Sequence, residues 1–191
     1  MIFTNSGASG VGKDAVVNFL FDILGDVEFL PSQTTRLPRV GDRGYKYVTE
    51  EEFEDMKRNG LLAWFVGPFG NQYGTLISDL ELVGLSDESI IWMAILTFDA
   101  VEKLRMWASR LELGEVRSIY LCCSNRDELR RRLVERGDKD VERRIEDCKN
   151  WDIEAKKYPF LQWIDNSGDL NITRKEVLRV LLIENTAQKP Q

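Results

Sequence analysis

The sequence predicts an α/β fold, a three-layer α/β/α arrangement with a mostly parallel central sheet. Three observations predict it. Extended apolar runs alternate with segments of helical period along most of the chain, as β-α repeats do. Ser89 to Leu96 and Val116 to Cys122 are nearly continuous apolar runs, the pattern of parallel strands covered on both faces. The stretch from Ser32 to about Leu80 interrupts the alternation, which predicts an inserted subdomain.

Met1 to Asn5 is a short extended run, and Gly7 to Gly12 cannot be regular structure. Asp14 to Leu24 carries Val16, Val17, Phe19, Leu20, Ile23 and Leu24 at helical spacing, closed by Gly25. Ser32 to Gly44, rich in Thr, Arg, Pro and Gly, predicts an ordered loop. Thr49-Glu50-Glu51-Glu52 is a capping box that starts a helix running to about Asn59, with Gly60 as its stop. Leu61 to Val66 predicts a strand, Gly67 to Gly74 a turn region, and Leu76 to Leu82 a short helix. The Ser89–Leu96 strand leads into a helix from Asp99 to Leu111, and Val116 to Cys122 is the next buried strand. Ser124 with Asp127 caps a helix to Glu135, ended by Gly137, and a second helix runs from Val141 to Lys157. Leu161 to Ile164 is the last strand and Thr173 to Ile183 the last helix.

A chain of 191 residues fits one domain, and a hydrophobic fraction of 43% is enough for an ordinary core. The net charge of -6 and pI of about 4.9 argue against a nucleic-acid polymer as partner, because a phosphate backbone needs a basic footprint. A local cluster of Arg and Lys still suits a phosphorylated small molecule. With no histidine, Ser-His and Cys-His nucleophile pairs and His-ligated metals are excluded. The chemistry falls to carboxylates, Lys, Arg, backbone N–H groups and a bound cation. Cys122, Cys123 and Cys148 form no CxxC pair, so neither a zinc site nor a disulfide framework is indicated; their expected place is the core. A reducing, cytoplasmic location is expected. No segment reads as a signal peptide, and no apolar run approaches the ~18 residues of a membrane span.

Gly7-Ala8-Ser9-Gly10-Val11-Gly12-Lys13 is a GxxxxGK segment after a strand and before a helix, the context of a P-loop. Its glycines let the backbone turn N–H groups inward around phosphates, and the helix N-terminus adds favourable partial charge. Ser9, Gly10, Val11 and Gly12 are therefore candidate ATP contacts, and Lys13 a candidate catalytic cation for the β- and γ-phosphates. The next residue is ordinarily Ser or Thr, whose hydroxyl holds Mg²⁺; here it is Asp14. Its carboxylate is a good oxygen ligand for Mg²⁺, and equally a favourable charge on a helix N-terminus. Both readings of Asp14 stand on the sequence.

Together with that loop, Ser32-Gln-Thr-Thr-Arg36-Leu-Pro-Arg39, Gly44-Tyr45-Lys46-Tyr47-Val48 and Gly70-Asn71-Gln72-Tyr73-Gly74-Thr75 make the chain resemble the guanylate kinase family, over nearly its whole length. The resemblance implies a single domain, 1–191, with a core (1–31, 81–125 and 152–191), an acceptor-binding subdomain (32–80) and a helical lid (126–151). It implies that Arg36, Arg39, Tyr45 and Tyr73 hold the acceptor phosphate, that Ser32 and Thr75 touch the acceptor base, and that Asn166 lies near the adenine of ATP. Arg36 and Arg39, three apart in a Pro-braced loop, can converge on one anion. Arg132 and Arg136 share a helix face and Arg144 lies on the next helix; by resemblance all three are lid arginines that close on the moving phosphoryl group. Arg130 and Arg131 are expected in surface pairs instead, Arg131 with Glu135, and Glu128 also stands i,i+4 from Arg132.

The chain also departs from the family. Guanylate kinases read guanine with a Glu before the Trp matching Trp64, and with an Asp at the end of the strand matching Ser89–Ile95. Here those places hold Ala63 and the apolar run Ile90-Ile91-Trp92-Met93-Ala94-Ile95-Leu96. Without these acceptors guanine's buried donors lose their partners. Trp92, Met93 and Phe69 are either core or an apolar wall for another base. Asp14 and Asn166-Ser-Gly-Asp-Leu170 also resemble ribose 1,5-bisphosphate phosphokinases. The expected function is ATP·Mg²⁺-dependent phosphorylation of a nucleoside monophosphate: GMP, dGMP, or a related or modified nucleotide. The alternatives are a sugar-phosphate kinase and a non-catalytic interaction module. The expected state is monomer or homodimer, with nucleotides as partners and no membrane.

Overall fold

The computed structural model describes residues 1–39, 41–67 and 70–182. Its α/β character is as expected, with helices around a five-stranded sheet ordered β2-β7-β1-β8-β9. The chain forms two compact units, Met1–Thr4 with Leu24–Val116, and Asn5–Ile23 with the residues from Arg117 onward. β1 (Ile2–Ser6) is shared between them and is buried along its whole length.

In the first unit, β2 (Val27–Phe29) runs parallel to β7 (Ile91–Ile95), with Val27 opposite Ile91 and Phe29 opposite Met93. A second sheet has the order β4-β3-β6-β5, from β3 (Ser32–Thr34), β4 (Tyr45–Tyr47), β5 (Leu62–Val66) and β6 (Tyr73–Leu76). Ser32 and Thr34 lie opposite Tyr45 and Tyr47, while Gln33 lies opposite Gly74. Alternation along the strands therefore puts Ser32, Thr34, Tyr45, Tyr47, Tyr73 and Thr75 on one face and Gln33 and Lys46 on the other. α2 (Glu50–Arg58) carries the expected capping box: Thr49 Oγ1 accepts from Glu52 N and the Glu52 carboxylate from Thr49 N. α3 (Ile77–Leu85) and α4 (Phe98–Arg110) complete the unit, around a core that includes Ile2, Leu30, Trp64, Leu80, Trp92 and Leu104.

In the second unit, β1 leads through the glycine loop into α1 (Lys13–Ile23). β8 (Val116–Cys122) and β9 (Gln162–Asp165) pair in parallel. Between them lie α5 (Arg126–Glu135) and α6 (Val141–Ala155), and α7 (Leu170–Leu181) closes the described chain. Arg126 ties these layers together. Its guanidinium pairs with Asp152 of α6, whose carboxylate also accepts from the buried Tyr120 of β8 at 3.0 Å. The three cysteines are free, Cys123 and Cys148 being buried and Cys122 half-buried.

Several expectations are corrected. Ser32–Thr34 and Tyr73–Leu76 are strands rather than loop and turn, and β2 was not foreseen. These are runs of three or four residues, too short for a periodic signal, and their partners are distant in sequence. α5 is capped by Asn125, whose side chain accepts from Asp127 N and Glu128 N. Ser124 instead donates to Asp165. α3 extends to Leu85, α6 stops at Ala155, and α7 begins at Leu170 behind an Asp169 cap. Phe69 and Ile183 lie outside the described residues.

Candidate active site

The candidate donor residues all fall in the second unit. Gly12 has a φ of 101°, and a Cβ there would collide with Asn166 Nδ2, so only glycine fits this turn of the loop. Asn166, 3% exposed, braces the loop from beneath: Nδ2 donates to Val11 O at 2.9 Å, and Oδ1 accepts from Thr173 Oγ1 at 2.8 Å. Asn5, also buried, donates to Lys13 O at 3.2 Å. Lys13 Nζ donates to Gly7 O and Ala8 O at 2.7 and 2.8 Å. Burial pushes the Lys13 pKa down to about 8; Asp14 opposes that and Arg136 adds to it.

The three expected lid arginines come to the loop. Nη1 of Arg132 points at Gly12, and its Nε donates to Glu128 Oε1 at 2.7 Å. Arg136 and Arg144 each donate to Ser9 Oγ at 3.0 Å. Arg130 and Arg131 pair with Glu142 and with Glu128 and Glu135, as surface residues do. Hydrogen bonds from Arg131 and Arg132 hold the Glu128 carboxyl down to about 2. Asp14 is exposed in the first turn of α1. Among the described residues no three His, Cys, Asp or Glu side chains cluster as a metal cage. One carboxylate beside a phosphate-binding loop fits Mg²⁺, which takes one or two carboxylates and completes its shell with phosphate oxygens and water.

The candidate acceptor residues all fall in the first unit. Arg36, 9% exposed, lies over the Tyr45 ring with Cζ 5.0 Å from its centroid, and the Tyr73 ring is 6.3 Å from that of Tyr45. Asp42, unmarked in the sequence, organises this corner. Its Oδ2 accepts from Arg36 Nη2 at 2.7 Å, Arg39 N at 2.8 Å and Tyr47 OH at 2.6 Å. Burial alone would raise its pKa, but the hydrogen bonds from Tyr47, Arg39 and Arg36 outweigh it and hold the carboxyl low. So Asp42 joins Arg36 to the backbone of Arg39, while Thr34 Oγ1 accepts from Arg36 N at 3.1 Å. Ser32 and Thr75 are buried on the face that carries Tyr45 and Tyr73. Among the described residues the Thr75 hydroxyl has no hydrogen-bond partner, nor has that of Thr97, just beyond the end of β7.

A family model described as guanylate kinase matches residues 3–183. The chain belongs to the guanylate kinase family. Guanylate kinase from Chlamydia pneumoniae is 30% identical over 193 residues, covering 96% of this chain and 87% of that one. The guanylate kinase of Prochlorococcus marinus subsp. pastoris is 28% identical, covering 92% and 94%. The crystal structure of guanylate kinase from Anaplasma phagocytophilum superposes with a TM-score of 0.70 at 22% identity, covering 98% of this chain and 87% of that one, which establishes the common fold. As a guanylate kinase family member the chain is an ATP-dependent nucleoside monophosphate kinase.

The resemblance places base-reading acids at positions that hold other residues in this chain. Ala63 stands in β5 where the resemblance places a Glu, and its carbonyl accepts from the Trp107 indole at 2.9 Å. Trp92 belongs to the first unit's core and donates to Ser86 Oγ at 2.9 Å, and Met93 is fully buried. Sequence reasoning missed Asp42, Tyr47, Asp138 and Thr173. Each is an ordinary surface-type residue whose partners are set by the fold.

Proposed function

We propose that this kinase transfers the γ-phosphoryl group of ATP to the phosphate of a nucleoside monophosphate, either GMP or dGMP or a related or modified nucleotide. The observation that carries the proposal is the gathering of Lys13, Arg132, Arg136 and Arg144 at the glycine loop of one unit, and of Arg36, Tyr45 and Tyr73 with one another in the other unit. Phosphoryl transfer asks for positioned positive charge and little covalent chemistry. The loop amides of Ser9 to Gly12 hold the donor phosphates, and Lys13 with the three arginines stabilises the charge that builds on the transferred group. Arg36 and Arg39 grip the acceptor phosphate with Tyr45 and Tyr73. No general base is needed, because the attacking oxygen is already anionic. Asp14 would hold Mg²⁺, which supplies charge neutralisation at the β- and γ-oxygens.

Thr75 and Thr97 carry two of the buried hydroxyls that have no hydrogen-bond partner among the described residues, and a hydroxyl can donate or accept, where a carboxylate only accepts. Ala63 and the apolar run of β7 leave no carboxylate to accept from guanine at those places, which favours relaxed base selection. The test is ADP formation from ATP·Mg²⁺ against all ribo- and deoxynucleoside monophosphates plus ribose 1,5-bisphosphate. Turnover peaking on a nucleoside monophosphate upholds the proposal. A peak on the sugar bisphosphate replaces it, and silence with no ATP binding by calorimetry leaves an interaction module.

A further inference from the structure

Arg136 and Arg144 reach Ser9 Oγ from two different helices, each at 3.0 Å. Two guanidinium ions beside one hydroxyl repel each other, so an anion has to hold them. Asp138 is that anion. Its Oδ2 accepts from Arg136 Nε at 3.1 Å and from Arg136 Nη2, and it lies 3.4 Å from Arg144 Nε. The carboxylate is 14% exposed, unlike the open Arg131–Glu135 pair at 56% and 60%.

Its position is fixed by the backbone as well. Asp138 N donates to Leu133 O and Gly137 N to Val134 O, the paired bonds of a helix-ending Schellman motif. Gly137, at φ 78°, turns the chain back so that the carboxylate meets the guanidinium two residues before it.

We infer that Asp138 is a positioning residue for phosphoryl transfer: it sets the Arg136 and Arg144 forks on the phosphate loop before the donor phosphates arrive. The inference rests on the reading of those arginines as phosphate ligands. Misplacing a charge by about 1 Å costs up to about 100-fold in rate.

The experiment is a cycle of Asp138→Asn, Arg136→Lys and the double variant, with Asp138→Glu beside them. Turnover is measured with ATP·Mg²⁺ and the monophosphate on which the wild type is fastest, and melting temperatures are recorded. Asp138→Asn is expected to lower kcat by roughly 10- to 100-fold with the acceptor KM within about twofold, and Asp138→Glu to fall between. The double variant is expected to be no slower than Arg136→Lys by more than about threefold, because the two side chains act as a unit. Wild-type or faster turnover in Asp138→Asn overturns the inference, as do independent effects that multiply. If Asp138→Asn melts below the assay temperature, Asp138→Glu decides: a reduced kcat at unchanged ATP affinity supports the inference, and a wild-type kcat overturns it. Wild-type turnover in Arg136→Lys removes the arginine reading and the inference with it. A slow Arg136→Lys beside a normal Asp138→Asn removes the inference alone.

Discussion

Lys13 is the residue whose ionisation matters most. Its pKa of about 8 lies below the lysine reference of 10.5, so the folded protein holds fewer protons at this site than the unfolded chain across that window. Stability therefore rises with pH between about 8 and 10.5, and below 8 the partly buried ammonium is a cost. Lys13→Met is therefore expected to raise the melting temperature near pH 7, by about 2–4 °C for each kcal/mol relieved, while lowering transfer by roughly 10²–10³-fold. A melting temperature below wild type at pH 7 contradicts this account. Bound phosphates restore the lysine's proton, so ATP binding at pH 8.5 should take up protons. Calorimetry in buffers of different ionisation enthalpy reads that uptake. Thr75 makes a second residue-scale case. Its buried hydroxyl has no partner among the described residues, which costs about 1–3 kcal/mol. Thr75→Val is expected to stabilise the free protein by about 1 kcal/mol and to raise the acceptor KM. Denaturant unfolding and steady-state kinetics check the two halves.

At the scale of elements, the β4-β3-β6-β5 sheet divides its labour between two faces. One carries the candidate acceptor side chains. The other carries Gln33 and Lys46, which hold Asp79 of α3 at 3.3 and 3.2 Å. Asp79 fastens the helix to the strands whose opposite face carries Ser32, Tyr45 and Tyr73. Asp79→Ala leaves the Gln33 amide, 2% exposed, unpaired and is expected to cost about 1–3 kcal/mol in urea unfolding. Asp79→Asn keeps an acceptor for Gln33 and is expected to cost less. The capping box of α2 is an independent fixture. Thr49→Ala is expected to cost about 1 kcal/mol of stability and to leave turnover unchanged.

For the whole molecule, the partition of residues makes the strongest forecast. Every donor candidate lies in the unit of Asn5–Ile23 with Arg117 onward, and every acceptor candidate in the other. Arg36→Ala is expected to raise the acceptor KM at least 10-fold, since it removes charge-assisted bonds to phosphate, while ATP affinity stays within about twofold. Lys13→Met is expected to do the reverse. Calorimetric titration of each variant with ATP and with the monophosphate tests the separation. ATP at about 100 times its Kd should raise the unfolding free energy of the wild type by about 2.7 kcal/mol, and that of Lys13→Met by less.

Much of this was legible from local chemistry. The GxxxxGK loop, the Thr49–Glu52 capping box and the apolar run of β7 each carry their signal within a few neighbouring residues, because turn geometry, helix caps and strand burial are short-range demands. The pairs Glu128–Arg132 and Arg131–Glu135 were legible for the same reason. What the tertiary structure decided is whatever needed a partner far along the chain. Gln33 meets Gly74 across a sheet, and Asn166 reaches back to Val11, 155 residues away. Asp42 and Asp138 look in the sequence like any surface acid. They become the counter-ions of Arg36 and Arg136 only because folding partly buries each carboxylate against guanidinium groups, and a half-buried charge must find its counter-ion.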